Sequence, residues 1–136
     1  MELAEKFASE KDKLKRSVAF FTFSGEELGL LGSNYLVNHL PFPNEDAVTM
    51  INMDMIGRLK DSSLIVYGTG TSSNWKNILN KHNSYGFNLT FNDEGYGPSD
   101  HSSFYGKKIP VLFFFTGTHE DYHKPSDDSE KINAEG

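Results

Sequence analysis

The run IPVLFFF, residues 109–115, is apolar at every position and built mostly from β-branched and aromatic side chains. A strand that faces water on one side alternates apolar with polar residues. A run apolar on both faces must be covered on both, so the chain needs a sheet with a centre strand and helices packed against it. The run also falls far short of the ~20 residues that a membrane-spanning helix requires, and the opening residues are too charged for a signal peptide.

The remaining pattern supplies those partners. ELAEKFASEKDKL, residues 2–14, places Leu3, Phe7 and Leu14 near one face and predicts an amphipathic helix. Residues 17–23 read as a buried strand, 28–40 as a helix stopped by the PFP turn, 47–56 and 63–67 as strands, with Gly68-Thr69-Gly70 as a turn. A helix over 74–84, closed near Gly86, a strand over 87–91 and a helical turn over 99–105 complete the series. Alternating strands and helices predict a three-layer α/β/α sandwich with a mixed, largely parallel sheet. At 136 residues the chain reads as one domain, with no repeat or linker.

Thirteen Lys and Arg against 19 Asp and Glu give a net charge of −6, which argues against nucleic acid or an anionic membrane surface as partner. With no cysteine, disulfides and thiolate metal sites are excluded, so any metal must sit on His, Asp or Glu.

Three predicted strands are followed, at their carboxyl ends, by candidate ligands: Glu26 and Glu27 after residues 18–23, Asp54 in MINMDMIG, and His123 after residues 109–115. In open parallel sheets that edge is where ligands bind. Asp54 sits between two methionines in a strand that otherwise belongs in the interior, and burying an unpaired carboxylate costs several kcal/mol. Either an ion pair with Arg58 or a metal ion meets it. For the adjacent glutamates one reading is helix-start chemistry, with Ser24 as cap and both carboxylates favouring the helix dipole. The other is a hydrolytic metal site in which one carboxylate binds the ion and its neighbour takes the proton of the attacking water.

His123 lies in HEDYHKPSDD, four residues after His119 and four before Asp127. It is either part of a solvated polar loop or a ligand whose tautomer Asp127 fixes. In GPSDHSSFYG, residues 97–106, Asp100 and His101 could line the cleft, although Ser99-Asp100 is also a fair helix cap.

Taken in order, SGEELGLLGS, NMDMIGR, GPSDHSSF and a strand ending FTG before DYHKPSDD resemble the two-zinc aminopeptidase family of metallopeptidases, over about Leu3 to Asn133. The resemblance implies a zinc exopeptidase fold and hydrolysis of peptides with a free N-terminus. By the same resemblance Glu26 is the general base, Glu27 and His123 share one zinc, Asp54 binds the other, and Tyr122 stabilises the oxyanion. Asp100, His101, Asp127 and Arg58 are its supporting residues. Secretion or a periplasmic location for the parent protein is the family's expectation.

The family's His-x-Asp segment, which supplies one zinc ligand and a bridging aspartate, has no counterpart here. Glu2, Glu5, Glu10 and Asp12 lie on a charged helix with no histidine beside them. The expectation is therefore the C-terminal portion of one catalytic domain, truncated at both ends and inactive in isolation because the bridging carboxylate is absent. A truncated sheet edge predicts a homo-oligomer. Two further readings keep the fold: a glutaminyl cyclase-like acyltransferase, and a catalytically dead binding domain, which the standing of Glu26, Glu27, Asp54 and His123 disfavours.

Overall fold

The computed structural model describes residues 2–135. Four strands form a single sheet: β1 (Met50–Asp54), β2 (Ser63–Tyr67), β3 (Asn88–Phe91) and β4 (Val111–Phe115), in the spatial order β1-β4-β2-β3. The helices are α1 (Glu2–Ser9), α2 (Leu31–Asn38), α3 (Trp75–His82) and α4 (His101–Tyr105). The apolar run does take an interior position, with β1 parallel on one side and β2 antiparallel on the other; β2 and β3 are parallel. The sheet is thus mixed, with two of its three ladders parallel.

Strand alternation sends Met50, Asn52 and Asp54 to one face, beside Val111, Phe113 and Phe115. Helices α2 and α4 cover this face. Val37, Phe104, Ile109 and Val111 form its buried cluster, and Phe23, Leu36, Ala47, Met50 and Tyr105 pack around it. The two helices approach closely because serines meet between them: Ser33 Oγ and Ser103 Oγ are 2.9 Å apart, and Ser33 is wholly buried. The opposite face is open near β1, where Ile51 and Met53 are about half exposed. Met53, Ile56, Leu59, Leu64, Phe87, Phe114 and Thr116 line an apolar depression of about 220 Å³ there.

Two expectations differ from what is found. Residues 17–23 form no strand: they join no ladder, and Val18, Phe20 and Phe21 are nearly half exposed. Propensity favours extended backbone, but a strand exists only where another strand pairs with it. Phe20 packs instead on Phe7 of α1, with ring centroids 5.9 Å apart, and Phe23 on Phe104 of α4 at 6.1 Å.

The second helix starts at Leu31, not at residue 28. Ahead of it Gly29 and Leu30 donate to the Glu26 carbonyl at 3.0 and 2.8 Å, Leu31 to that of Gly25 at 3.1 Å, and Leu30 takes a left-handed φ of 59°. Gly32 makes the doubling-back possible: a Cβ there would stand 2.8 Å from the Ser24 carbonyl oxygen. Glu26 and Glu27 consequently sit in a turn before the helix and not in its first turn, and α2 has no side-chain cap. The helix-start account of the glutamate pair does not hold.

Candidate functional site

In the parallel β1–β4 ladder Asp54 pairs with Phe115, so both strands release their chains at the same edge. After Asp54 the backbone turns sharply, with Met55 at φ 55°, into the 3₁₀ turn Ile56–Arg58. The segment after β4 is tied back to that turn. Thr116 Oγ1 donates to the Met55 carbonyl, and Asn133 donates to the carbonyls of Gly57 (2.8 Å, from its backbone) and Leu59 (2.9 Å, from its amide).

This loop carries Tyr122 and His123 over to the turn that holds the glutamates. His123 Nε2 lies 3.3 Å from Glu27 Oε1, although the two come from opposite ends of the chain. His123 has a left-handed φ of 56°, a region in which histidine is among the more tolerated residues. The Tyr122 ring centroid is 3.9 Å from that of His123, and Tyr122 is partly exposed.

Glu26 is half-buried beside them. Burial pushes its carboxyl pKa up, as do the negative charges of Glu27, Asp100 and Asp54; only His123 acts in the opposite sense. Four carboxylates and one imidazole therefore share this edge. The donor chemistry suits a borderline dication such as zinc, which takes carboxylate oxygen and imidazole nitrogen alike. Among the described residues, however, no three His, Asp or Glu side chains converge closely enough to form a complete metal-binding group. Glu27 and His123 meet as a pair, and Asp54 stands apart from them.

Asp54 is held from below. Ser99 Oγ donates to its Oδ2 at 3.2 Å and accepts from Asn52 Nδ2 at 2.8 Å, and both Asn52 and Ser99 are buried. Arg58 does not pair with Asp54. Its guanidinium grips Asp127 and, at 3.0 Å, Asp121, so the ion-pair reading of Asp54 fails. Nor does Asp127 serve His123: besides Arg58, its neighbour is His119, with Nε2 3.7 Å from its Oδ2. Asp121 also accepts from Lys131 and Ser126, each at 2.7 Å, and these donors with Arg58 hold its carboxyl far below the usual range.

Asp100, whose charge reaches Glu26, and His101 are both buried. Asp100 precedes α4 without capping it, and its Oδ1 is buried with no hydrogen-bond partner. His101 is fully buried, stacked 4.5 Å from Phe113, with neither ring nitrogen partnered. Burial lowers its pKa to about 4, against a smaller opposing pull from Asp54. Gly97 is required beside it, since a Cβ there would stand 2.8 Å from the imidazole Nε2.

Sequence reasoning missed Asn52, Ser99 and Asp121. Asn52 had a usable signal: two residues before Asp54 in a strand, it shares that residue's face. Asp121 and Ser99 carried none beyond adjacency to residues already singled out.

The sequence profile described as Peptidase family M28 matches residues 1–136. Aminopeptidase YwaD of Bacillus subtilis is 33% identical over 131 residues, covering 88% of this chain and 29% of the relative. Among solved structures, BSAP, a zinc aminopeptidase from Bacillus subtilis, superposes with a TM-score of 0.69 at 30% identity, covering 84% of this chain and 30% of that one. The Legionella pneumophila LapA aminopeptidase gives 0.64 at 28% identity, covering 82% and 32%. The chain therefore spans about a third of the length of the proteins it resembles.

Proposed function

The chain belongs to peptidase family M28, and on that premise we propose that its protein is a zinc-dependent aminopeptidase, with the site at the carboxyl edge of β1 and β4. The meeting of Glu27 and His123 at 3.3 Å, with Glu26 beside them, carries this reading. The names of relatives, aminopeptidase and zinc aminopeptidase, support it. Glu27 and His123 would hold one zinc, and Asp54, steadied by Ser99, the other.

Bound zinc supplies Lewis acidity toward a peptide carbonyl and lowers the pKa of water. Glu26 takes the proton of the attacking water at its carboxylate and returns it to the leaving amine, a role suited to a carboxyl whose pKa is raised. The Tyr122 hydroxyl donates to the oxygen that gains charge. The excess of carboxylates at this edge favours a substrate with a free, protonated N-terminus.

In the protein that contains these residues, Glu26→Gln should abolish release of aniline from aminoacyl anilides while leaving zinc content unchanged. Normal turnover in that variant contradicts the assignment. For this chain by itself, the reading also includes pairing of two copies along an exposed edge of the sheet. A monomeric mass by light scattering at micromolar concentration contradicts that part.

No helix of the described residues is long and apolar enough to cross a membrane.

A further inference from the structure

Asp121 stands immediately before Tyr122 and has no part in the reaction above, yet it is the most heavily tethered carboxylate of the loop. It takes Arg58 Nη2 at 3.0 Å, Lys131 Nζ at 2.7 Å and Ser126 Oγ at 2.7 Å. The other arm of the Arg58 fork holds Asp127. One planar guanidinium thus grips two carboxylates that flank His123 in sequence, a forked geometry that a single ammonium matches only in part.

Arg58 is itself fixed to the sheet. It ends the 3₁₀ turn that follows β1, four residues past Asp54. Thr116 and Asn133 fasten the two ends of the loop to this same turn, and the fork fastens its middle. The Glu27–His123 contact cannot supply that order, because both side chains are more than half exposed and water screens an exposed pair of this kind.

We propose that Asp121, latched by Arg58, is a positioning residue that presents Tyr122 and His123 to Glu27. The tether itself stands on these contacts alone; its consequence for metal binding rests on the zinc reading above. Two measurements on this chain separate them, each made on the unsubstituted protein and on Asp121→Asn, Arg58→Ala and Arg58→Lys. The first is hydrogen exchange at the amides of Tyr122 and Lys124, which bond to the carbonyls of His119 and Asp121 at 3.0 and 2.9 Å. The second is the imidazole nitrogen resonance of His123 during zinc titration.

Asp121→Asn and Arg58→Ala should exchange these amides at least tenfold faster with β4 protection unchanged. They should also need at least tenfold more zinc to shift the His123 resonance, and Arg58→Lys should recover part of both effects. Equal exchange in all four proteins overturns the proposal, and so does loss of β4 protection along with the loop, which would make the role one of general stability. If zinc leaves His123 unshifted in the unsubstituted chain, the zinc reading fails and the exchange comparison alone decides the tether: faster in the variants upholds it, unchanged overturns it.

Discussion

The two sides of the candidate site are built in opposite ways. Asp54 rises from a strand through a buried serine and asparagine, above a core in which Val111 and Phe113 are almost wholly enclosed. Glu27 and His123 lie on turns with 70% and 53% of their side chains exposed. Packing fixes the first donor, whereas the second pair depends on turns, loop tethers and the cation the donors would share. Substitutions on the first side should therefore cost stability, and substitutions on the second should cost metal binding with little effect on stability.

The largest effect belongs to the floor of the first side. Phe113→Ala, at a 3% exposed position stacked on His101, should destabilise the chain by about 3–5 kcal/mol in urea unfolding. A loss below about 1 kcal/mol would remove the distinction between the two sides.

Next comes the pH dependence of the same core. His101 has a folded pKa lowered to about 4 from 6.5, so below pH 6.5 the unfolded chain binds the proton that the folded chain refuses. Stability from this group is complete above pH 6.5 and is lost as pH falls through that window to 4, by an amount on the order of a few kcal/mol. His101→Phe, which keeps an aromatic ring against Phe113, should flatten the slope of stability against pH between 6.5 and 4. An unchanged slope would place the acid sensitivity elsewhere.

Ser99→Ala is smaller, about 1–3 kcal/mol, because it strands the buried Asn52 amide and takes a donor from Asp54. On the second side, Glu27→Ala should change unfolding free energy by less than about 0.5 kcal/mol. A large destabilisation there would mean that the exposed pair supports the fold after all.

Legibility in the sequence divides along the same line. Residues 63–67 and 109–115 announced their strands because composition and burial agree there, and MINMDMIG announced Asp54 because a carboxylate among methionines needs a partner. Residues 17–23 have equally strong strand composition and form none, since pairing is a property of neighbours and not of the segment. The same limit explains the misplacement of Arg58 and Asp127. Charge and proximity in sequence suggested Asp54 and His123 as their partners, but the loop after β4 folds back on the turn after β1 and brings Asp121, Asp127 and His119 to the guanidinium or its partners. The glutamate pair, open to a helix-start reading in the sequence, sits in a turn ahead of the helix. Its turn rests on Gly25, Leu30 and Gly32 closing against Ser24, an arrangement that apolar periodicity does not reveal.

Glu27 and His123 should form a metal-binding pair, to be checked by zinc titration calorimetry on this chain and on the Glu27→Ala, His123→Ala double variant. Heat of binding from the unsubstituted chain should disappear in the variant, with the unfolding midpoint of the metal-free proteins nearly the same. Equal zinc binding by both proteins would contradict it.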